Sequence, residues 1–213
     1  MAQRSEAHPD QAGSPSDEAA SLAQALVSGT STTSLEQYVA QLVQPNSAAA
    51  PHAARVLEAL AQQKPELLAP HIELLVKQLD SPNQPVAQCS AHCLPVLARV
   101  APAKVAKQLK AMQAALPDAP AIAKDGLVRT FVALCVASVT YQKRLIDSFE
   151  LALRTAAPEQ LPAWVEHILP ALKGEPYAQA RSVVEQRLPD PELPREIAQR
   201  VADFLGVKLR PLK

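Results

Sequence analysis

Apolar residues return at a constant step of 37 along this chain of 213 residues, and a fixed step of that size constrains the fold more than any single motif could. One series runs Leu57, Leu94, Phe131, Ile168, Leu205, accompanied by Ala53, Ser90, Leu127, Trp164, Val201 and by Ala54, Ala91, Val128, Val165, Ala202. A second series is offset by about half a period: Leu35, Ile72, Leu109, Ile146, Val183, then Tyr38, Leu75, Met112, Phe149, Gln186, then Leu42, Leu79, Leu116, Leu153. Within each series the spacings are three and four, which puts the residues on one face of a helix. Each unit is therefore two helices. First helices are expected near 34–44, 66–79, 103–116, 140–155 and 176–188, and second helices near 49–63, 85–100, 121–138, 158–172 and 194–207. Pro65 and Pro102 stand where first helices begin, a place that tolerates a missing N–H, and Ser34 followed by Gln37 can form a capping box.

Composition bounds the rest. Apolar residues make up 48% of the chain but aromatics only 3%, so the core has to be filled by Ala, Leu and Val. Three unevenly spaced cysteines do not make a disulfide framework and fit a reducing, cytoplasmic setting. The formal net charge of zero gives no overall pull toward nucleic acid or membrane. No apolar run reaches the ~18 residues expected of a membrane span, and the polar start lacks the apolar stretch expected of a secretory signal. Residues 1–18, rich in Ser, Pro, Asp, Glu and Gly, are expected to be a disordered tail ahead of one domain covering 19–213.

A lone helix pair buries one face only, so such units must stack to close a core. On these columns the chain resembles the HEAT-repeat family over roughly residues 33–208. The resemblance implies an all-α fold, a right-handed α-α superhelix (α-solenoid) of about five HEAT-like helix pairs whose second helices line a concave face. The step of 37 is shorter than the usual ~40–47. Asp80 matches the family's recurrent Asp, whereas Gln88 stands about where its Arg is expected.

In a stack, a surface position repeated in each unit becomes a line across the molecule. The line through Arg55, His92, Arg129, Glu166 and Asp203 changes from basic to acidic along the chain. Of the neighbouring positions, Val132, Val136 and Leu169 add an apolar centre beside Arg99, FVALCVASV being apolar around its whole circumference. These residues are the expected contact of a partner protein, a peptide or helix in the concave groove, and the expected function is a non-enzymatic interaction scaffold or adaptor. First helices add Lys104, Lys107, Lys110, Lys143, Arg144 and Arg181, and residues 91–145 hold 8 basic against 2 acidic side chains. That basic middle makes nucleic-acid binding the alternative. DNA glycosylases for alkylated bases that use a HEAT-like array are similar in fold only, and fold does not confer function.

Chemistry finds little purchase. Cys89 and Cys93 share one side of a helix with His92 beside them and Cys135 one unit on, but they fall in core columns, and buried Cys behaves as a small apolar side chain. No phosphate loop, His-Glu-x-x-His or nucleophile elbow is present. Neither a catalytic residue nor a metal or cofactor is expected. Trp164 shares a column with Ala53, Leu127 and Val201 and is read as core.

Overall fold

A computed structural model describes residues 14–44 and 47–209, and among them every regular element is helical. The first half contains α1 (Pro15–Ser28), α2 (Leu35–Val43), α3 (Ala50–Gln63), α4 (Ile72–Lys77), α5 (Gln84–Val100), α6 (Pro102–Ala106) and α7 (Leu109–Ala115). The second contains α8 (Ala121–Ala137), α9 (Gln142–Thr155), α10 (Leu161–Ala171), α11 (Gly174–Arg187) and α12 (Arg195–Leu205). The Ser34 hydroxyl accepts the Gln37 N–H at 3.3 Å while the Gln37 side chain accepts the Ser34 N–H at 2.9 Å, so α2 opens on the expected capping box.

Two first helices are built of shorter pieces than the apolar pattern implies. Pro65–His71 is a 3-10 turn leading into α4, and Gln78–Asp80 is another after it. Pro70 lies inside the first of these; its missing N–H and its ring disfavour an α-helical ladder there. The third first helix is likewise divided, into α6 and α7.

The expected N-terminal tail needs a correction at its end. Residues 1–13 lie outside the described residues, but residues 15–18 are the first turn of α1. Ser14 and Asp17 cap each other's backbone N–H at 3.3 and 3.2 Å, Pro15 occupies the first helical position, and Gly29 closes the helix at φ 74. Short side chains then seat the helix. Ala19 and Ala23 are buried, and Gln63 of α3 donates to the Ala20 carbonyl at 3.0 Å.

Packing follows the chain. α1 lies against α3, α3 against α5, α5 against α8, α8 against α10 and α10 against α12, while α9 lies against α11. Leu57, Leu94, Phe131, Ile168 and Leu205, on α3, α5, α8, α10 and α12, are all buried in one continuous core. α5 and α8 approach closely: a Cβ on Gly126 would come within 2.6 Å of the Ala91 backbone and side chain. Polar groups fasten the joints between first helices. Buried Gln142 donates to the Ala171 carbonyl at 2.9 Å and accepts the Lys173 N–H at 3.1 Å, satisfying the break between α10 and α11. Arg187 of α11 donates to the carbonyls of Leu153 and Arg154 at 3.0 and 2.6 Å, a cation on the orphan C-terminal carbonyls of α9.

Candidate interaction surface

The sign-changing line is partly knitted into the stack. Arg55 is exposed, but His92 is half-buried, its Nδ1 2.5 Å from the Glu58 carboxylate of the preceding layer. Exposed Arg129 lies 3.6 Å from Asp125, whose other oxygen accepts the Trp164 indole N–H at 3.0 Å. Trp164 itself is 2% exposed, so its ring is walled in by the core and only its N–H has a polar partner. Glu166 meets Arg200 at 2.7 Å, and Asp203 accepts from Gln199 at 2.7 Å. Neighbouring layers thus use part of this charge on one another.

Of the adjoining positions, Arg99 is exposed, Val132 is half-buried and Val136 is 74% exposed. Leu169 corrects the expectation: at 2% exposure it is core and cannot touch a partner. The positions equivalent to it explain why. Pro95 is buried and Glu58 half-buried, so this row runs along the seam between packed helices, and in α10 the seam is covered.

Lys104, Lys107, Lys110, Lys143 and Arg144 are exposed, and among the described residues none of them has a carboxylate within ion-pairing distance. Gln113 donates to the Arg144 carbonyl and the Ser148 hydroxyl, both at 3.0 Å, which links α7 to the first half of α9. The Arg144 guanidinium stands 5.8 Å from the Tyr141 ring centroid. Arg181 stands apart from this set: it is bound to Glu185 at 2.8 Å, the Tyr177 hydroxyl at 3.4 Å and the Leu205 carbonyl at 3.1 Å. Its charge closes the end of α12.

The thiols are enclosed. Cys89 and Cys93 are fully buried with their sulfurs 3.8 Å apart. The Cys89 thiol, together with burial, holds the Cys93 pKa well above the ordinary thiol range, and burial alone pushes Cys135 up to about 12. Neutral, shielded thiols are poor nucleophiles and poor metal ligands. Among the described residues no three His, Cys, Asp or Glu side chains converge in a metal-binding group.

Sequence reasoning passed over Val100, Val139 and Phe204, which are 42%, 63% and 44% exposed. Val139 had a signal of its own. It follows Ser138, which ends α8, and so belongs to the connection, not to the helix face that runs through FVALCVASV.

No family model matches the chain, and no curated protein matches it. Among solved structures it is similar to the crystal structure of an engineered protein, a Northeast Structural Genomics Consortium target, with a TM-score of 0.61 and 19% identity over 90% of this chain and 87% of that one. The likeness is one of fold alone.

Proposed function

We propose that the five helix pairs form a right-handed α-solenoid of HEAT-like units, and that the protein is a non-enzymatic scaffold or adaptor holding a segment of another protein near Arg55, His92, Arg99, Arg129, Val132 and Val136. The array reading is supported by second helices that touch in chain order and by equivalent core positions that are buried together. One observation favours binding above the rest: Val136 is 74% exposed on a helix that is otherwise mostly core, and Val139 beside it is 63% exposed. Single surface valines need no explanation, but neighbouring ones flanked by uncompensated cations fit an interface. A cytoplasmic setting agrees with three buried, unpaired cysteines.

The test is capture of partners from native lysate by the full chain and by a Val132→Asp, Val136→Asp variant, identified by mass spectrometry. Loss of specific partners from a variant of unchanged helicity is the expected result; an identical partner set would end the proposal. A second reading, nucleic-acid binding through Arg99, Lys104, Lys107, Lys110, Arg129, Lys143 and Arg144, is favoured because, among the described residues, only Arg129 of these has a carboxylate within ion-pairing distance. It requires binding that falls steeply with added salt, and a mobility assay without a shift at low salt removes it.

A further inference from the structure

In the two middle units the chain passes from second helix to first helix through a pair of strips that contain no carboxylate. Residues 99–107 read RVAPAKVAK and residues 136–144 read VASVTYQKR, and the two are separated by the structural step of 37. α5 packs on α8 so closely at Ala91 and Gly126 that an added Cβ would clash, and Gln113 of α7 donates to the Arg144 carbonyl of α9. Arg99 and Val136 are thereby equivalent positions of adjacent layers, as are Lys107 and Arg144. α6, in the first strip, lies against α8, the helix that carries Val136, and the second strip continues from the end of α8. Val100, Val136 and Val139 supply exposed apolar area, and Lys104, Lys107, Lys143 and Arg144 supply exposed cations without carboxylate partners among the described residues. Exposed Asp147, one turn past Lys143 and Arg144, bounds the site.

Resting on the protein-binding role above, we propose that this edge of the stack docks an acidic protein segment bearing aliphatic residues, with its apolar side chains on Val136 and Val139 and its carboxylates on Lys104, Lys107, Lys143 and Arg144. Charge complementarity selects the acidic partner: a net positive patch with a carboxylate only at its border attracts carboxylates and repels basic chains. The valines select against a purely electrostatic ligand, since contact with a phosphate backbone would leave them unused. Single-stranded nucleic acid bound without sequence preference is held on aromatic platforms. Here Trp164 is buried and Tyr141 lies against Arg144. A membrane surface is gripped by Trp, Phe and Leu on an amphipathic helix, whereas the exposed apolar residues of this patch are all valines.

The experiment uses the full chain and fluorescence anisotropy with labelled peptides. One peptide has Asp and Glu flanking Leu and Val, a second has Asn and Gln in place of the acids, and a third has Ser in place of the apolar pair. Oligo-dT and vesicles of phosphatidylcholine with phosphatidylserine serve as the competing classes. The first peptide is expected to bind at low salt, and the other two about tenfold more weakly. Lys107→Glu with Arg144→Glu should weaken that binding about tenfold, and Val136→Ser with Val139→Ser several-fold. Lys107→Gln with Arg144→Gln gives the same direction if the charge reversals fail to fold. The inference is overturned if the oligonucleotide or the vesicles bind and the first peptide does not, or if the edge variants bind that peptide as the parent does. Loss on Arg55→Glu with Arg129→Glu but not on the edge variants also overturns it while leaving the scaffold role standing. Failure of the scaffold role itself would show separately, as lysate partners indifferent to Val132→Asp, Val136→Asp.

Discussion

α8 and α12 occupy equivalent places in the same repeating pattern, and they divide their surfaces in opposite ways. Of α8, Ala123, Gly126, Leu127, Val128, Thr130, Phe131, Ala133, Leu134 and Cys135 are buried; of α12, only Ala198, Val201, Ala202 and Leu205 are. α8 has α5 on one side and α10 on the other, whereas α12 packs on α10 and keeps Arg195, Glu196, Gln199, Arg200 and Asp203 as an outer polar face. The difference teaches that most of the apolar circumference of FVALCVASV is explained by two packed neighbours. Beyond half-buried Val132, the large apolar side chains left exposed are those at its far end, Val136 and Val139.

Deleting core volume should separate the two helices most clearly. Phe131 is fully buried and meets the Phe149 ring edge-on at 6.4 Å, so Phe131→Ala is expected to cost about 3–5 kcal/mol. Leu205→Ala, at the end of the stack, should cost about 2 kcal/mol, toward the lower limit for such changes. Urea unfolding of both variants gives the comparison, and equal costs would break it. Glycine substitutions come next. Gly126→Ala forces the Ala91 backbone away and should cost about 1–3 kcal/mol. Gly206→Ala has open space around it but a φ of 68, and should cost about 1 kcal/mol through backbone conformation alone. A smaller, chemical contrast follows from the thiols. With Cys135 near 12, Cys93 raised and all three sulfurs buried, native protein at mildly alkaline pH should resist alkylation, and denatured protein should take up three labels, read by mass spectrometry.

Much of this architecture was legible in the residues, because a step of 37 makes each helix a check on the next. Leu57, Leu94, Phe131, Ile168 and Leu205 were assigned as core from spacing alone, and all are buried together. α1 was missed although Ser14, Pro15, Asp17 and Gly29 spell out its start and stop. Its core face is only Ala19 and Ala23, too weakly apolar to stand out against a Ser- and Pro-rich start. Leu169 was misplaced because a helical wheel shows direction from one axis but not what the adjacent layer covers. Gln142 on the α10–α11 break and Arg187 on the end of α9 were out of reach for a related reason: both depend on which joint meets which side chain across layers. The surface was the least legible part. Whether Glu58 and His92, or Glu166 and Arg200, face solvent or each other is decided by interlayer geometry that one layer's sequence does not contain.

The central claim is that equivalent residues of successive helix pairs are stacked in order. Pulsed electron spin resonance on spin labels placed pairwise at Arg55, Arg129 and Asp203 tests it most directly, since these exposed sites sit on α3, α8 and α12 and the native thiols are enclosed. With helix axes ~8–10 Å apart per layer, the Arg55–Arg129 and Arg129–Asp203 separations should each be about 20 Å, and Arg55–Asp203 should be clearly the longest. An Arg55–Asp203 separation no greater than Arg55–Arg129 would contradict the ordered stack.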